Sequence, residues 1–395
     1  MKQNTTYKQT ELGLIPEDWE VKKLGEILKE YSLGGNYENN SEESGIPLIK
    51  MGNIGRGKID LSKIEYLPKN VNYSKNDILK YNDILFNTRN TLDLVGKVSI
   101  WKNEALFALY NSNLLRLYFK EDFVENNDYV NFQFNSEITL ANLKKYATGT
   151  TSVAAIYTKD LLKLKFLLPP LPEQKKIADC LSTWDSAIEK QSALINALTQ
   201  RKKALMQQLL TGKKRLPGFS DEWKEVKLGE ISIKKSSTLQ ANSLEENNGE
   251  FKVYGASGIV ANIDFYNESE EYIGIVKDGS GVGNLMLCDA KSSVLGTLDI
   301  IKNNKKSNLF FIYLILSKIH FEKYKVGGAI PHIYYRDYSR EKINIPSLEE
   351  QTAIAAILAT ADRELQLQKE KLAQLQTQKK GLMQVLLTGK KRLIN

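Results

Sequence analysis

Residues 209–216 read LLTGKKRL, and so do residues 386–393. The likeness extends outward from the octapeptide at the same offset of 177 residues. Across 169–216 and 346–393 there are 24 identities in 48 positions, too many for chance, so the chain is an internal duplication. Pro169-x-Leu171-x-Glu173-Gln174-x-x-Ile177-Ala178 meets Pro346-x-Leu348-x-Glu350-Gln351-x-x-Ile354-Ala355. A second repeat has its own offset of 204: Trp19 followed by Leu24-Gly25-Glu26-Ile27 returns as Trp223 followed by Leu228-Gly229-Glu230-Ile231. A third is fainter. Residues 83–100 and 271–288 are strand-like on both sides of a polar loop that closes with Val95-Gly96 or Val282-Gly283.

The repeated stretch before each octapeptide carries a heptad seam. In the first copy it runs Ile177, Leu181, Trp184, Ile188, Gln191, Ile195, Leu198, Lys202, Leu205, Leu209. In the second it runs Ile354, Leu358, Ala361, Leu365, Gln368, Leu372, Leu375, Lys379, Leu382, Leu386. Polar seam residues at matching places (Gln191 and Gln368, Lys202 and Lys379) serve register and partner choice more than stability. Prolines 169, 170, 172 and 346 end the preceding strand and open the helix. Gly212 and Gly389 stand where a helix C-cap glycine belongs, and the Lys-Lys-Arg that follows complements the negative end of the helix dipole. Some 38 residues give about 57 Å of helix. That is long for a helix covering only its own domain, so the two seams are expected to bury each other, antiparallel.

The expected domains are a tail at 1–10, a globular segment at 11–168, a long helix at 169–216, a second globular segment at 217–345 and a second long helix at 346–395. The globular segments read as short apolar strands between Gly/Asn turns, each with a helical portion. The class is therefore α+β: two globular domains separated by an antiparallel two-helix coiled coil, with a pseudo-twofold repeat.

The net charge of +8 suits a polyanionic partner. Several loops of Gly, small polar residues, amides and cations suit close approach to a sugar–phosphate backbone and to base edges. Candidates in the first segment are Asn87, Thr88, Arg89, Asn90, Thr148, Thr150, Thr151 and Ser152. Those in the second are Tyr254, Ser257, Lys277, Asp278, Ser280, Asn284, Gly327, Gly328 and His332. Arg89 has the fork to meet a guanine, Asn87 or Asn90 the amide to meet an adenine. Ordinary surface turns remain the alternative for each loop, and a packed turn residue the alternative for His332.

Chemistry-bearing motifs are missing. Gly-Lys at 57–58, 96–97, 212–213 and 389–390 is never followed by Ser or Thr, so no phosphate-binding P-loop exists. The Asx-Pro-Pro-aromatic motif of amino-methyltransferases is absent. Glu222-Trp223-Lys224 has a nuclease-like spacing, but its counterpart is Asp18-Trp19-Glu20, which points to a structural role. Two histidines cannot build a multi-histidine metal centre, and no metal site is expected. Cys180 and Cys288 have no disulfide or zinc spacing and read as reduced thiols of a cytoplasmic protein. The first residues lack the apolar core of a signal peptide, and no apolar run is long enough for a membrane helix.

Two globular segments, each preceded by W…LGEI and followed by PxLxEQ…LLTGKKRL, resemble the DNA-specificity subunit of type I restriction-modification systems. The resemblance covers nearly the whole chain. It implies a target-recognition domain in each half and a bipartite, asymmetric site on double-stranded DNA. It also implies two methyltransferase subunits and motor/endonuclease subunits as partners. S-adenosylmethionine, ATP and Mg then belong to those partners, and this chain holds no cofactor and is not an enzyme. A helix pair of about 57 Å fits readers one to two DNA turns apart, a turn being about 34–36 Å. The octapeptide would then offer one surface to each of two identical partners, contact a flanking phosphate, or simply end a helix in solvent. A coiled-coil adaptor that never touches DNA is the competing class.

Overall fold

The computed structural model describes residues 6–43, 45–68, 70–244 and 249–394. Residues 1–5 of the expected tail and residue 395 at the end of the last expected domain lie outside them. The chain divides into two compact units, residues 1–192 with 371–395, and residues 193–370. The class is α+β, and each unit builds the same frame.

In the first unit a four-stranded antiparallel sheet has the order Leu28–Leu33, Leu114–Phe119, Ile84–Asn87, Val98–Ile100. In the second the order is Ser232–Ser236, Leu298–Asn303, Tyr272–Val276, Leu285–Cys288. Ile84–Asn87 and Tyr272–Val276 lie between neighbours in these sheets and are buried along their whole length, as the apolar runs ILF and YIGIV require. A three-stranded mixed sheet accompanies each: Ile46–Ile49 between Glu65–Leu67 and Leu109–Tyr110, and Phe251–Gly255 between Gly258–Ile263 and Ser293–Val294. Short helices start on side-chain caps, Asn126, Ser136 and Asn308. In the second unit Cys288 is buried, which pushes its thiol up to about 12. Among the described residues no helix is long and apolar enough to cross a membrane, and no His/Cys/Asp/Glu group is clustered to hold a metal.

Each PxLxEQ motif opens a 39-residue helix, Leu171–Leu209 or Leu348–Leu386. The glutamine docks it. Gln174 donates to the carbonyls of Pro169 (3.0 Å) and Phe123 (2.8 Å). Gln351 donates to those of Pro346 (3.1 Å) and Lys306 (3.2 Å) and accepts from the Asn308 amide. The helices end on the glycines, both at φ +69°: Lys214 N–H reaches Gln208 O at 3.2 Å and Lys391 N–H reaches Val385 O at 3.0 Å.

Within each unit the first turns of one long helix pack antiparallel against the last turns of the other. Ile177, Ala178 and Leu181 share a core cluster with Leu386 and Leu387. Ile354, Ala355 and Leu358 share one with Leu209 and Leu210. The seam lysines are ion-paired across the helices. Lys379 meets Asp185 at 2.7 Å, and Lys202 meets Asp362, the residue 177 positions on from Asp185. Burial along the seam is uneven. Ile177, Leu181, Ile354 and Leu358 are buried beneath the globular strands as well as the partner helix, and Gln191, Leu198 and Leu365 are also buried. Ile188, Ile195, Leu205, Gln368, Leu372, Leu375 and Leu382 are half-buried. Two helices cover only one side of each other, so away from the domain cores most seam positions are half-buried.

The arginine of each octapeptide turns inward. Arg392 grips Glu173 through Nε (2.8 Å) and Nη2 (2.7 Å), and holds Asp18 through Nη1 (2.9 Å) and Nη2 (2.7 Å). Trp19 Nε1 donates to the same Glu173 carboxylate at 3.0 Å. In the second unit Arg215 grips Glu350 at 2.8 and 2.7 Å, and Trp223 Nε1 donates to it at 3.3 Å. The hydrogen bonds to Glu173 hold the Arg392 guanidinium above its ordinary value. Of the Lys-Lys-Arg read as a partner surface, a phosphate contact or a solvated helix end, the arginines instead close the unit. A planar guanidinium matches a carboxylate bidentately, whereas the neighbouring lysines stay exposed.

Leu181→Ala should cost about 2–5 kcal/mol of unfolding free energy, because a domain-covered side chain leaves a cavity. Leu375→Ala, half-buried on the seam, should cost about 1 kcal/mol. Denaturant unfolding of the two variants checks the ordering; equal costs would contradict deeper burial of the seam where a domain core covers it.

Candidate nucleic-acid interface

The strand Ile84–Asn87 leads into the loop Thr88–Asp93, and the turn around Thr148–Ser152 folds onto it. Thr148–Gly149, Ala154–Ala155 and Arg89–Asn90 form one three-stranded sheet, with Arg89 opposite Ala155 and Asn90 opposite Ala154. Leu92 N–H also donates to Thr151 O at 3.1 Å. All eight candidates of the first segment are therefore gathered into one hairpin pair.

The second unit repeats this pairing. Asp278 and Val326 both bridge to His332. Gly279 N–H donates to Pro331 O and Ile333 N–H to Lys277 O, each at 3.0 Å. The backbone bonds fix the correspondence between the units. Asn87 N–H to Lys97 O, Gly96 N–H to Asn87 O and Ile156 N–H to Thr88 O match Val276 N–H to Asn284 O, Gly283 N–H to Val276 O and Ile333 N–H to Lys277 O. Thr88 therefore corresponds to Lys277, Arg89 to Asp278 and Ala155 to His332. Gly96 (φ +76°) and Gly283 (φ +89°) close the loops with a left-handed backbone that favours glycine.

The candidates differ in what they present. Arg89, Thr148, Thr150, Thr151, Ser152, Ser257, Ser280, Asn284, Gly327 and Gly328 are exposed. Thr88, Asn90, Lys277, Asp278 and His332 are half-buried. Thr88 Oγ1 donates to Asn113 O at 2.8 Å, and Lys277 Nζ lies 3.4 Å from the buried Asp299. Asn87 is fully buried and its Oδ1 accepts from Arg89 N–H at 3.2 Å, so it shapes the loop and does not face a ligand. Tyr254 is buried too, its hydroxyl accepting from Asp289 N–H at 3.3 Å, and burial raises its phenol above the ordinary value. Ser257 lies in the turn after Phe251–Gly255, with no bond to the paired loops among those described.

The sequence reading overlooked the residues beside these loops. Val153 and Tyr157 are 60% and 54% exposed, and their counterparts Ile330 and Tyr334 are 60% and 46% exposed. They stand 177 residues apart, so the octapeptide's own offset, carried back to Ile156-Tyr157-x-x-Asp160 and Ile333-Tyr334-x-x-Asp337, was the available signal. Exposed apolar side chains repeated at equivalent places suit a contact surface.

Comparison with known proteins places this architecture. A family model described as the type I restriction modification DNA specificity domain matches residues 16–200 and again 220–377. The MjaX type I restriction enzyme specificity subunit of Methanocaldococcus jannaschii is 31% identical over 98% of this chain and 97% of its own length. The EcoKI specificity subunit of Escherichia coli is 27% identical over 48% of this chain and 44% of its own. The crystal structure of the S subunit of the type I restriction-modification system from M. genitalium shares the fold, with a TM-score of 0.65 at 17% identity, covering 98% of this chain and 97% of that one. The chain belongs to the type I restriction-modification DNA-specificity family.

Gly327 holds the second hairpin pair at φ +90°, where an added Cβ would lie 2.6 Å from Ile330 O. Gly327→Ala should therefore break the 326–332 pairing locally, at a cost of about 1–3 kcal/mol. Amide exchange at Val326 and His332 should rise while the strand Tyr272–Val276 stays protected; unchanged exchange at Val326 and His332 would contradict the strain.

Proposed function

We propose that this chain is the DNA-reading subunit of a type I restriction-modification complex. Each unit's paired loops read one half of a bipartite, asymmetric site on double-stranded DNA. The observation that carries this reading is the common backbone frame with unlike side chains at equivalent positions: Thr88, Arg89 and Ala155 in one unit, Lys277, Asp278 and His332 in the other. One frame fits one kind of ligand, and unlike contacts make the two half-sites differ. The family assignment and the net charge of +8 support duplex DNA over an adaptor role. The long helices serve as the spacer between half-sites.

The family is non-catalytic, and this chain does its work by binding. Two methyltransferase subunits with S-adenosylmethionine, and motor/endonuclease subunits with ATP and Mg, supply the chemistry in the cytoplasm. The repeated octapeptide supports two like docking places. Leu387 and Thr388 line a groove of about 740 Å³ with Ile138 and Leu140. Their counterparts Leu210 and Thr211 line another, of about 330 Å³, with Ile315 and Ile319.

The test is an exchange of residues 217–345 for the equivalent segment of a relative, followed by mapping of the methylated motif in cells that carry the partners. One half of the motif should change and the other persist, each wrong base pair costing about 1–3 kcal/mol. A change in both halves together would refute modular reading.

A further inference from the structure

Where the first unit sets Arg89 opposite a small Ala155, the second sets Asp278 opposite His332. His332 Nδ1 lies 2.6 Å from Asp278 Oδ1. A carboxylate at that distance accepts, so Nδ1 carries the ring proton and Nε2 is the nitrogen left for a ligand. The backbone beneath the ring is fixed, and the ring has a second neighbour. The His332 amide and carbonyl bond Val326 at 2.8 and 2.9 Å. Ring atom Cδ2, next to Nε2, packs against Gly327, where a Cβ would sit 3.4 Å away. The side chain nevertheless remains 39% exposed.

We propose that His332, oriented by Asp278, is the residue of the second unit that reads a base, and that it meets the exocyclic amino group of an adenine or a cytosine. In the Nδ1–H tautomer Nε2 is an acceptor, and the major groove offers matching donors at adenine N6 and cytosine N4. Asp278 is a positioning residue; its carboxylate is engaged by the imidazole and does not itself face the DNA. The protruding group thus switches strands between units. Arg89 comes from the first loop and presents donors, while His332 comes from the second and presents an acceptor. Equivalent places in the two half-sites then hold different bases, with guanine favoured opposite Arg89. This inference rests on the DNA-reading function proposed above.

The experiment selects binding sites from randomised duplexes with the full chain assembled with its methyltransferase partners. The wild type should return a bipartite site. His332→Ala should lower preference about tenfold at one A·T or C·G position of one half, the size of one mismatch, with the other half intact as the internal check on folding. Asp278→Ala should relax the same position, and the double variant should be no worse than His332→Ala. Asp278→Asn, whose amide oxygen still accepts from Nδ1–H, should restore the preference. An unchanged motif in His332→Ala, or a uniform loss of affinity across all sequences as from a phosphate contact, would overturn the inference while leaving the DNA-reading function standing. A wild type that selects no site would overturn that function and this inference with it.

Discussion

The structure depends on one buried carboxylate in each unit. Glu173 and Glu350 have side chains 2% exposed. Each sits at the start of a long helix and is satisfied by a tryptophan N–H from its own half and a bidentate arginine from the end of the other long helix. Removing one partner of a buried pair typically costs about 3–5 kcal/mol, because the charge left behind is stranded. The carboxylate therefore specifies which helix end must close the unit. The glycine of the octapeptide belongs to the same joint: a Cβ on Gly389 would collide with Pro16 at 2.3 Å, and one on Gly212 would touch Trp223 at 3.4 Å.

This joint explains the three repeated motifs together. Trp19 and Trp223, Glu173 and Glu350, and Arg392 and Arg215 recur because they make the same contact twice. It also explains why the first unit is discontinuous in sequence. Its closing arginine is the fourth residue from the end of the chain. With the joint fixed, the loops at the far end of each central strand are free to differ, and they do, at Arg89 against Asp278 and Ala155 against His332.

Much of this was legible from residues alone. The duplication, both long helices, their proline starts and glycine ends follow from local rules of periodicity and capping. The strand–loop–strand at 83–100 and 271–288 was visible for the same reason. What was not legible is contact at a distance. Nothing local says that Arg392 bonds a glutamate 219 positions earlier, so the basic run read as a partner surface, a phosphate contact or a solvated helix end. The heptad pattern marks which seam face is apolar but not that strands cover only its ends, which separates Leu181 from Leu375. Composition nominated Asn87 as a reader, yet as the last residue of a buried strand its side chain turns inward. The pairing of Asp278 with His332 joins residues 54 apart and needed the fold.

The crosswise closure is tested most directly by hydrogen exchange on two single variants of the full chain. Arg392→Ala should raise exchange around Trp19–Ile27 and Lys165–Leu181 and leave the second unit's Trp223–Ile231 and Lys342–Leu358 protected. Arg215→Ala should do the reverse. Full protection of Trp19–Ile27 in Arg392→Ala, or equal loss in both units from either variant, would contradict the account.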